Sequence, residues 1–158
     1  MIKLERLTET AQEPTYGSDH AACFDIRADI EGREVTASWG DLTDASTRNS
    51  IGEAILYPDE RILIPTGFVF HIPEGYQLKI NPRSGLAWRS GITVLNAPAT
   101  IDSDYKGELF VVLYNTSGET FTINHGDRIA QAELMPAIRC DFESLGERKG
   151  GFGSSGKS

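Results

Sequence analysis

The sequence predicts an all-β domain, a jelly-roll-like barrel or sandwich. Apolar residues recur with a period of two in short runs, and glycine, proline, asparagine and aspartate punctuate those runs. No long segment carries a helical stripe. In chain order the runs at residues 2–7, 24–28, 61–65, 67–72, 76–80, 108–115, 120–123 and 128–136 read as strands. Turns are expected at Pro73-Glu74-Gly75, Thr116-Ser117-Gly118 and Asn124-His125-Gly126-Asp127, where residues that tolerate tight backbone geometry cluster. Residues 84–90 can form one short turn of helix. No internal repeat is present.

Residues 31–54 break the pattern. They are polar, hold Trp39 and show no clear alternation, so they read as a long extra surface loop, either a neutral insertion or a flap for a protein partner.

The 158-residue chain is long enough for one core, giving a domain over 1–146 and an arm over 147–158. A net charge of −8 without a basic run argues against a nucleic-acid polymer as partner, because such binding neutralises many phosphates. Cys23 and Cys140 form no CxxC pair, the first ten residues lack a signal-peptide pattern, and no stretch has the apolar length to span a membrane. A cytoplasmic protein is the expectation.

The arm, ERKGGFGSSGKS, cannot build a core of its own. Its glycines let the backbone approach a phosphate chain, Ser154 and Ser155 offer donors, and Arg148, Lys149 and Lys157 supply positive charge. Phe152 has no apolar neighbour in sequence, and a nucleobase is one surface on which it could stack. A disordered terminus has the same composition.

Four further segments carry chemistry, each with a plainer alternative. PRSGLAWRSG, residues 82–91, sets Arg83 and Ser84 beside Gly85 on a turn after a strand, which suits phosphate oxygens. Arg83 could equally pair with a surface carboxylate, and Trp88 fits packing better than recognition. NAPATIDSDYKG, residues 96–107, precedes a strongly apolar strand; alternation would point Asp102 and Asp104 to one side, where a carboxylate could deprotonate a water. Both are also ordinary turn formers, and Tyr105 could be core. Gln131 sits in an otherwise apolar strand and needs a partner if buried, either a phosphate oxygen or water, unless it points outward. Asp25 follows small residues on a strand and is a candidate salt-bridge partner or site residue.

Taken in this order, the segments resemble the five motifs of the trimeric dUTP pyrophosphatases, matched at residues 21–28, 82–91, 96–107, 126–131 and 148–156. PRSGLA, IDSDYKGE, RIAQ and GGFGSSG carry the likeness, which covers nearly the whole chain apart from 31–54. It implies a jelly-roll subunit, a homotrimer whose sites draw on all three chains, and hydrolysis of dUTP to dUMP and pyrophosphate. On this likeness Asp102 matches the water-activating aspartate. Arg83, Ser84, Gly85 and Gln131 match phosphate-binding positions, Asn96 belongs to the uracil-reading hairpin, and Tyr105 matches the tyrosine beneath deoxyribose. Arg148, Phe152, Gly153, Ser154 and Ser155 match the closing arm, with Phe152 on the uracil ring. Mg2+ would be held mainly by the triphosphate, with Asp25 in its outer shell through water.

Three positions depart from the motifs. Cys23 and Ala99 stand where glycine is common, and Arg148 precedes Phe152 by four residues in place of five. The arm then bulges, shares the role with Lys149, or closes less well. A dCTP deaminase-like enzyme and a nucleotide-tuned regulatory protein are the alternatives on this fold. The IDSDY sequence and the full arm fit the hydrolase better.

Overall fold

The structure, a computed structural model, describes residues 1–40, 43 and 45–146. Two five-stranded antiparallel sheets form its layers. One runs β10 (Ile92–Val94), β12 (Phe110–Asn115), β7 (Arg61–Pro65), β4 (Glu31–Ser38), β5 (Ser46–Ile51). The other runs β11 (Ala99–Ile101), β9 (Tyr76–Asn81), β14 (Arg128–Pro136), β3 (Phe24–Arg27), β2 (Thr15–Tyr16). Two ribbons complete the jelly-roll-like sandwich: β1 (Lys3–Arg6) with β8 (Phe68–His71), and β6 (Glu53–Leu56) with β13 (Phe121–Asn124).

The period-two pattern explains the layers. β12 buries Val111, Leu113 and Asn115 and turns the alternate side chains outward, while β9 does the same with Leu78 and Ile80. Ile26, Ile64, Leu78 and Leu113 are sealed from solvent, each contributing roughly 1.5–3 kcal/mol of apolar burial. Asn115 is buried without penalty because its amide donates to the carbonyls of Leu56 and Glu119, at 3.1 and 2.8 Å. In β14 the register shifts between Arg128 and Ala130, so Ile129 and Ala130 are both buried and Gln131 comes to stand opposite Asp25.

The reading of 31–54 as an extra surface loop requires correction. Within this segment β4 lies inside the sheet between β7 and β5, with Thr36 opposite Leu63 and Ala37 opposite Ile62. The alternation is real but carried by small and polar residues: Val35 and Ala37 are buried while Glu34 and Thr36 are not fully so. Arg48 of β5 is held from both sides. Its guanidinium lies over the rings of Trp39 and Tyr57, at 5.7 and 5.5 Å, and pairs with the buried carboxylate of Glu60. Among the described residues no helix is long and apolar enough to cross a membrane.

Candidate active site

The single helix among the described residues, α1 (Ser84–Ser90), starts where β9 ends and places PRSGLA beside the β14–β3 pair. Gly91 closes it in the left-handed conformation, φ 65°, its N–H donating to the Ala87 carbonyl at 3.2 Å. Ser84 and Gly85 form its first turn. Trp88, expected to pack, projects from α1 with 91% of its surface exposed. A helix this short shows its far face to solvent, so its aromatic had no layer to enter.

Four motif residues converge at this point. Gln131 stands directly opposite Asp25 across β14 and β3, and opposite Asn81 across β14 and β9. Its side-chain amide donates to the Pro82 carbonyl at 2.9 Å, which gives the half-buried group a partner on the protein. Arg83 Nε lies 3.1 Å from Asp25 Oδ1, and Arg128 Nη1 lies 3.1 Å from Asp25 Oδ2. Arg83 Nη1 also donates to the Arg128 carbonyl at 3.0 Å. Together these bonds tie the loop before α1 to the sheet and gather two guanidiniums and an amide on one surface, a donor set suited to a polyphosphate. Arg128 opens the RIAQ segment that carries the family likeness, but the sequence assigned it no role of its own.

Asp25 brings a single carboxylate, only 13% exposed and engaged through both oxygens. Among the described residues no group of three or more His, Cys, Asp or Glu is placed to hold a metal ion. This donor set fits a hydrated divalent ion delivered by a polyphosphate and met through its water shell.

Asp102 and Tyr105 lie elsewhere. Ile101 pairs with Leu78 near the start of β9, whereas Arg83 lies two residues beyond Asn81 at its end. Gln77 and Asn81 are four residues apart, about 13 Å along a strand. One chain therefore holds the two halves of the expected site at opposite ends of one sheet. The expected alternation of Asp102 and Asp104 is also corrected: residues 102–105 form a turn, closed by the Tyr105 N–H donating to the Asp102 carbonyl at 3.2 Å. Asp102 is exposed. Tyr105 is 43% exposed, so it is not core, and its hydroxyl donates to the Glu108 carbonyl at 2.8 Å. Asn96 lies exposed in the turn after β10. Arg148, Lys149, Phe152, Gly153, Ser154 and Ser155 lie outside the described residues.

Beneath the Tyr105 turn is a polar network absent from the sequence analysis. Arg33 donates through both terminal nitrogens to the two oxygens of Glu108, at 2.7 Å each, and Gly67 N–H donates to Glu108 Oε1 at 2.7 Å. Arg33 also reaches Asp29 Oδ2 at 3.0 Å. Asp29 is buried and accepts from the hydroxyls of Thr8 and Thr10, at 2.6 and 2.7 Å. Burial alone would raise its carboxyl pKa, but the hydrogen bonds from Thr8, Thr10 and Arg33 and the Arg33 charge hold it below the ordinary value. Arg33 is correspondingly raised, first by its hydrogen bonds to Glu108. The Cys23 thiol is pushed up by burial and then by Glu133, which argues against a thiolate nucleophile.

A family model described as dUTPase matches residues 49–156. The deoxyuridine 5'-triphosphate nucleotidohydrolase of Chlamydia pneumoniae is 52% identical over 152 residues, covering 92% of this chain and 91% of that protein. The protein of the same name from Nautilia profundicola is 41% identical over 162 residues and covers 99% of both. Among solved structures, a mutant dUTPase of Staphylococcus aureus phage phi11, described with a structural Mg(II) ion, superposes with TM-score 0.72 at 21% identity. That superposition covers 93% of this chain and 97% of the phage chain. The dUTPase of phage 80alpha gives TM-score 0.73 at 19% identity, covering 95% and 99%. The fold, the ordered motifs and end-to-end relatives agree: the chain belongs to the dUTPase family.

Proposed function

We propose that the protein is a homotrimeric dUTP diphosphatase, cleaving dUTP to dUMP and pyrophosphate at sites shared between chains. The observation that carries the shared site is the separation of Asp102 and Tyr105 from the Asp25, Arg83 and Gln131 cluster within one chain. A second copy, placed so that its 96–107 hairpin meets the first copy's cluster, would bring base and phosphate ligands together. The relatives named above support the substrate.

Asp102 takes the proton of a water as that water attacks the α-phosphorus. The bond from that phosphorus to the bridging oxygen breaks, and pyrophosphate leaves with the bonding electrons. General-base assistance of this kind contributes about 10²–10⁴ in rate. Arg83 and Gln131, with Ser84 and Gly85 at the start of α1, hold the phosphates and offset charge on the leaving group. Mg2+ bound with the triphosphate supplies further charge neutralisation, and Asp25 is the residue of this chain that would face its water shell.

Asn96 and neighbouring backbone groups pair with the uracil edge. Cytosine exchanges a donor for an acceptor and leaves buried groups unpaired. The Tyr105 ring lies beneath deoxyribose, where a 2′-hydroxyl would collide. The 147–158 arm of a third chain closes the site, Phe152 stacking on uracil and Arg148, Gly153, Ser154 and Ser155 lying over the phosphates. The reaction would limit uracil incorporation into DNA and supply dUMP for thymidylate synthesis in the cytoplasm.

Incubation with dUTP, dCTP, dTTP and UTP in magnesium, following pyrophosphate and ammonia separately, tests this reading. Pyrophosphate and dUMP from dUTP alone is the expected result. Ammonia from dCTP would place the chain with the deaminases, and no release from any nucleotide would remove the catalytic reading.

A further inference from the structure

We propose that Arg33 is a positioning residue for sugar discrimination, acting through Glu108 on the ring of Tyr105. This rests on the reading of Tyr105 as the surface beneath deoxyribose.

Two contacts fix the ring on its own loop. Its hydroxyl donates to the Glu108 carbonyl at 2.8 Å. A Cβ added at Gly107 would sit 2.7 Å from that hydroxyl oxygen and 2.9 Å from the ring carbon bearing it, so this end of the ring lies against the bare backbone of Gly107. The height of the ring is therefore set by the main chain at 107–108. Rejection of a 2′-hydroxyl is steric and depends on that height.

The Glu108 main chain is in turn held through its own side chain. Both carboxylate oxygens accept from the planar fork of Arg33, and Oε1 also accepts from Gly67 N–H. Arg33 is fixed by Asp29, which is 1% exposed and anchored by Thr8 and Thr10. The frame thus joins the N-terminal segment, the start of β4, the β7–β8 link and the approach to β12. Arg33 comes from the 31–54 segment, which extends that segment's role beyond its place in the sheet. Its guanidinium is committed to Glu108 and Asp29 and touches no residue assigned to substrate.

The experiment is the ratio of kcat/KM for dUTP to that for UTP in Arg33→Met and Arg33→Lys, with thermal unfolding measured alongside. Arg33→Met is expected to lower the ratio about tenfold, by raising kcat/KM for UTP and KM for dUTP, with kcat for dUTP nearly unchanged. Arg33→Lys keeps the charge but loses the fork, and falls between. Thr10→Val weakens the Asp29 anchor without touching Glu108; it should lower the melting temperature and leave the ratio alone. A purely structural role would move the ratio in none of them.

A ratio within about twofold of the parent in Arg33→Met overturns the proposal. If Arg33→Met does not fold, Arg33→Lys decides by the same criterion. Tyr105→Ala separates the two levels. A ratio that drops there but not in the Arg33 variants removes the coupling alone, whereas no drop in Tyr105→Ala removes the sugar reading and the proposal with it.

Discussion

Arg83 is paired with Asp25 at the foot of α1, Nε to Oδ1 at 3.1 Å, while Arg128 holds the other carboxylate oxygen at the same distance. The carboxylate fixes both guanidiniums before any phosphate arrives, so its charge orients the donors that would receive the substrate. Asp25→Asn keeps the shape and removes that charge. One charge-assisted hydrogen bond is worth about 1.5–3 kcal/mol, so kcat/KM for dUTP should fall roughly tenfold to a hundredfold. Asp25 is largely enclosed and paired through both oxygens, and the Asn amide turns a donor toward one guanidinium, so the melting temperature should fall as well. Steady-state pyrophosphate release and calorimetry on the same sample check both halves.

Asp102 is exposed in its turn and makes no side-chain bond to the Arg83 cluster of its own chain. Asp102→Asn should therefore leave assembly and folding intact. Turnover is expected to fall by about 10²–10⁴ while a non-hydrolysable dUTP analogue binds with nearly unchanged affinity. Undiminished turnover in a stopped assay would take Asp102 out of the chemistry.

The strands that bury large aliphatic side chains were legible in the sequence: β7 and β14 have the bounds their apolar alternation indicates, and β12 begins two residues later. β4 was not, because its inward residues are Val35, Ala37 and Ser38, and alternation between small polar and small apolar groups leaves almost no hydropathy contrast. The site divides in the same way. Asp25, Arg83 and Gln131 announce themselves as polar groups in apolar or glycine-rich settings. Residue spacing carries no information on which end of a sheet a motif reaches, so the separation of Asp102 from Arg83 required the register of β9 with β11 and β14. The Arg33, Glu108 and Asp29 network is non-local, spanning 75 residues from Arg33 to Glu108, and no short motif encodes it.

Gly67 marks where that network meets the backbone. Its φ is +73°, and an added Cβ would fall 2.4 Å from the Ala11 Cβ and 2.5 Å from Asp29 Oδ2. Gly67→Ala combines left-handed strain of about 1–3 kcal/mol with a contact that must displace a buried carboxylate. Chemical denaturation should show a loss of at least the strain component. A variant as stable as the parent would mean that the 65–68 link moves without cost.

The stability of the same network should depend on pH. The folded carboxyl of Asp29 lies below its ordinary value, so the unfolded chain takes up that proton more readily. Its contribution is complete above the unfolded pKa, about 3.9, and is lost as pH falls through the lower folded value. Arg33, Thr8 and Thr10 face the group, and His125 Nδ1, which accepts the Ile30 N–H, lies 3.7 Å from it. Denaturation free energies measured from pH 6 downward should decline more steeply in the parent than in Asp29→Asn, which has no proton to bind. Parallel curves would place the acid sensitivity elsewhere.

The proposed division of the site between chains predicts a measurable complementation. Suppose one chain supplies Arg83 and its neighbour in a closed trimer supplies Asp102. Asp102→Asn and Arg83→Ala homotrimers then have no intact site, but a mixed trimer has one junction at which an Arg83-bearing chain meets an Asp102-bearing neighbour. Random reassembly of equal amounts leaves three trimers in four mixed, each with one competent site of three, so about one quarter of parental activity should return. Unfolding and refolding the two inactive variants together, then measuring pyrophosphate release against each refolded alone, reads this directly. If both residues served one site from the same chain, mixing would restore nothing, since no chain in the mixture carries both. Recovery of activity would follow from the separation of the two groups along β9 if each faces a different site in the proposed trimer.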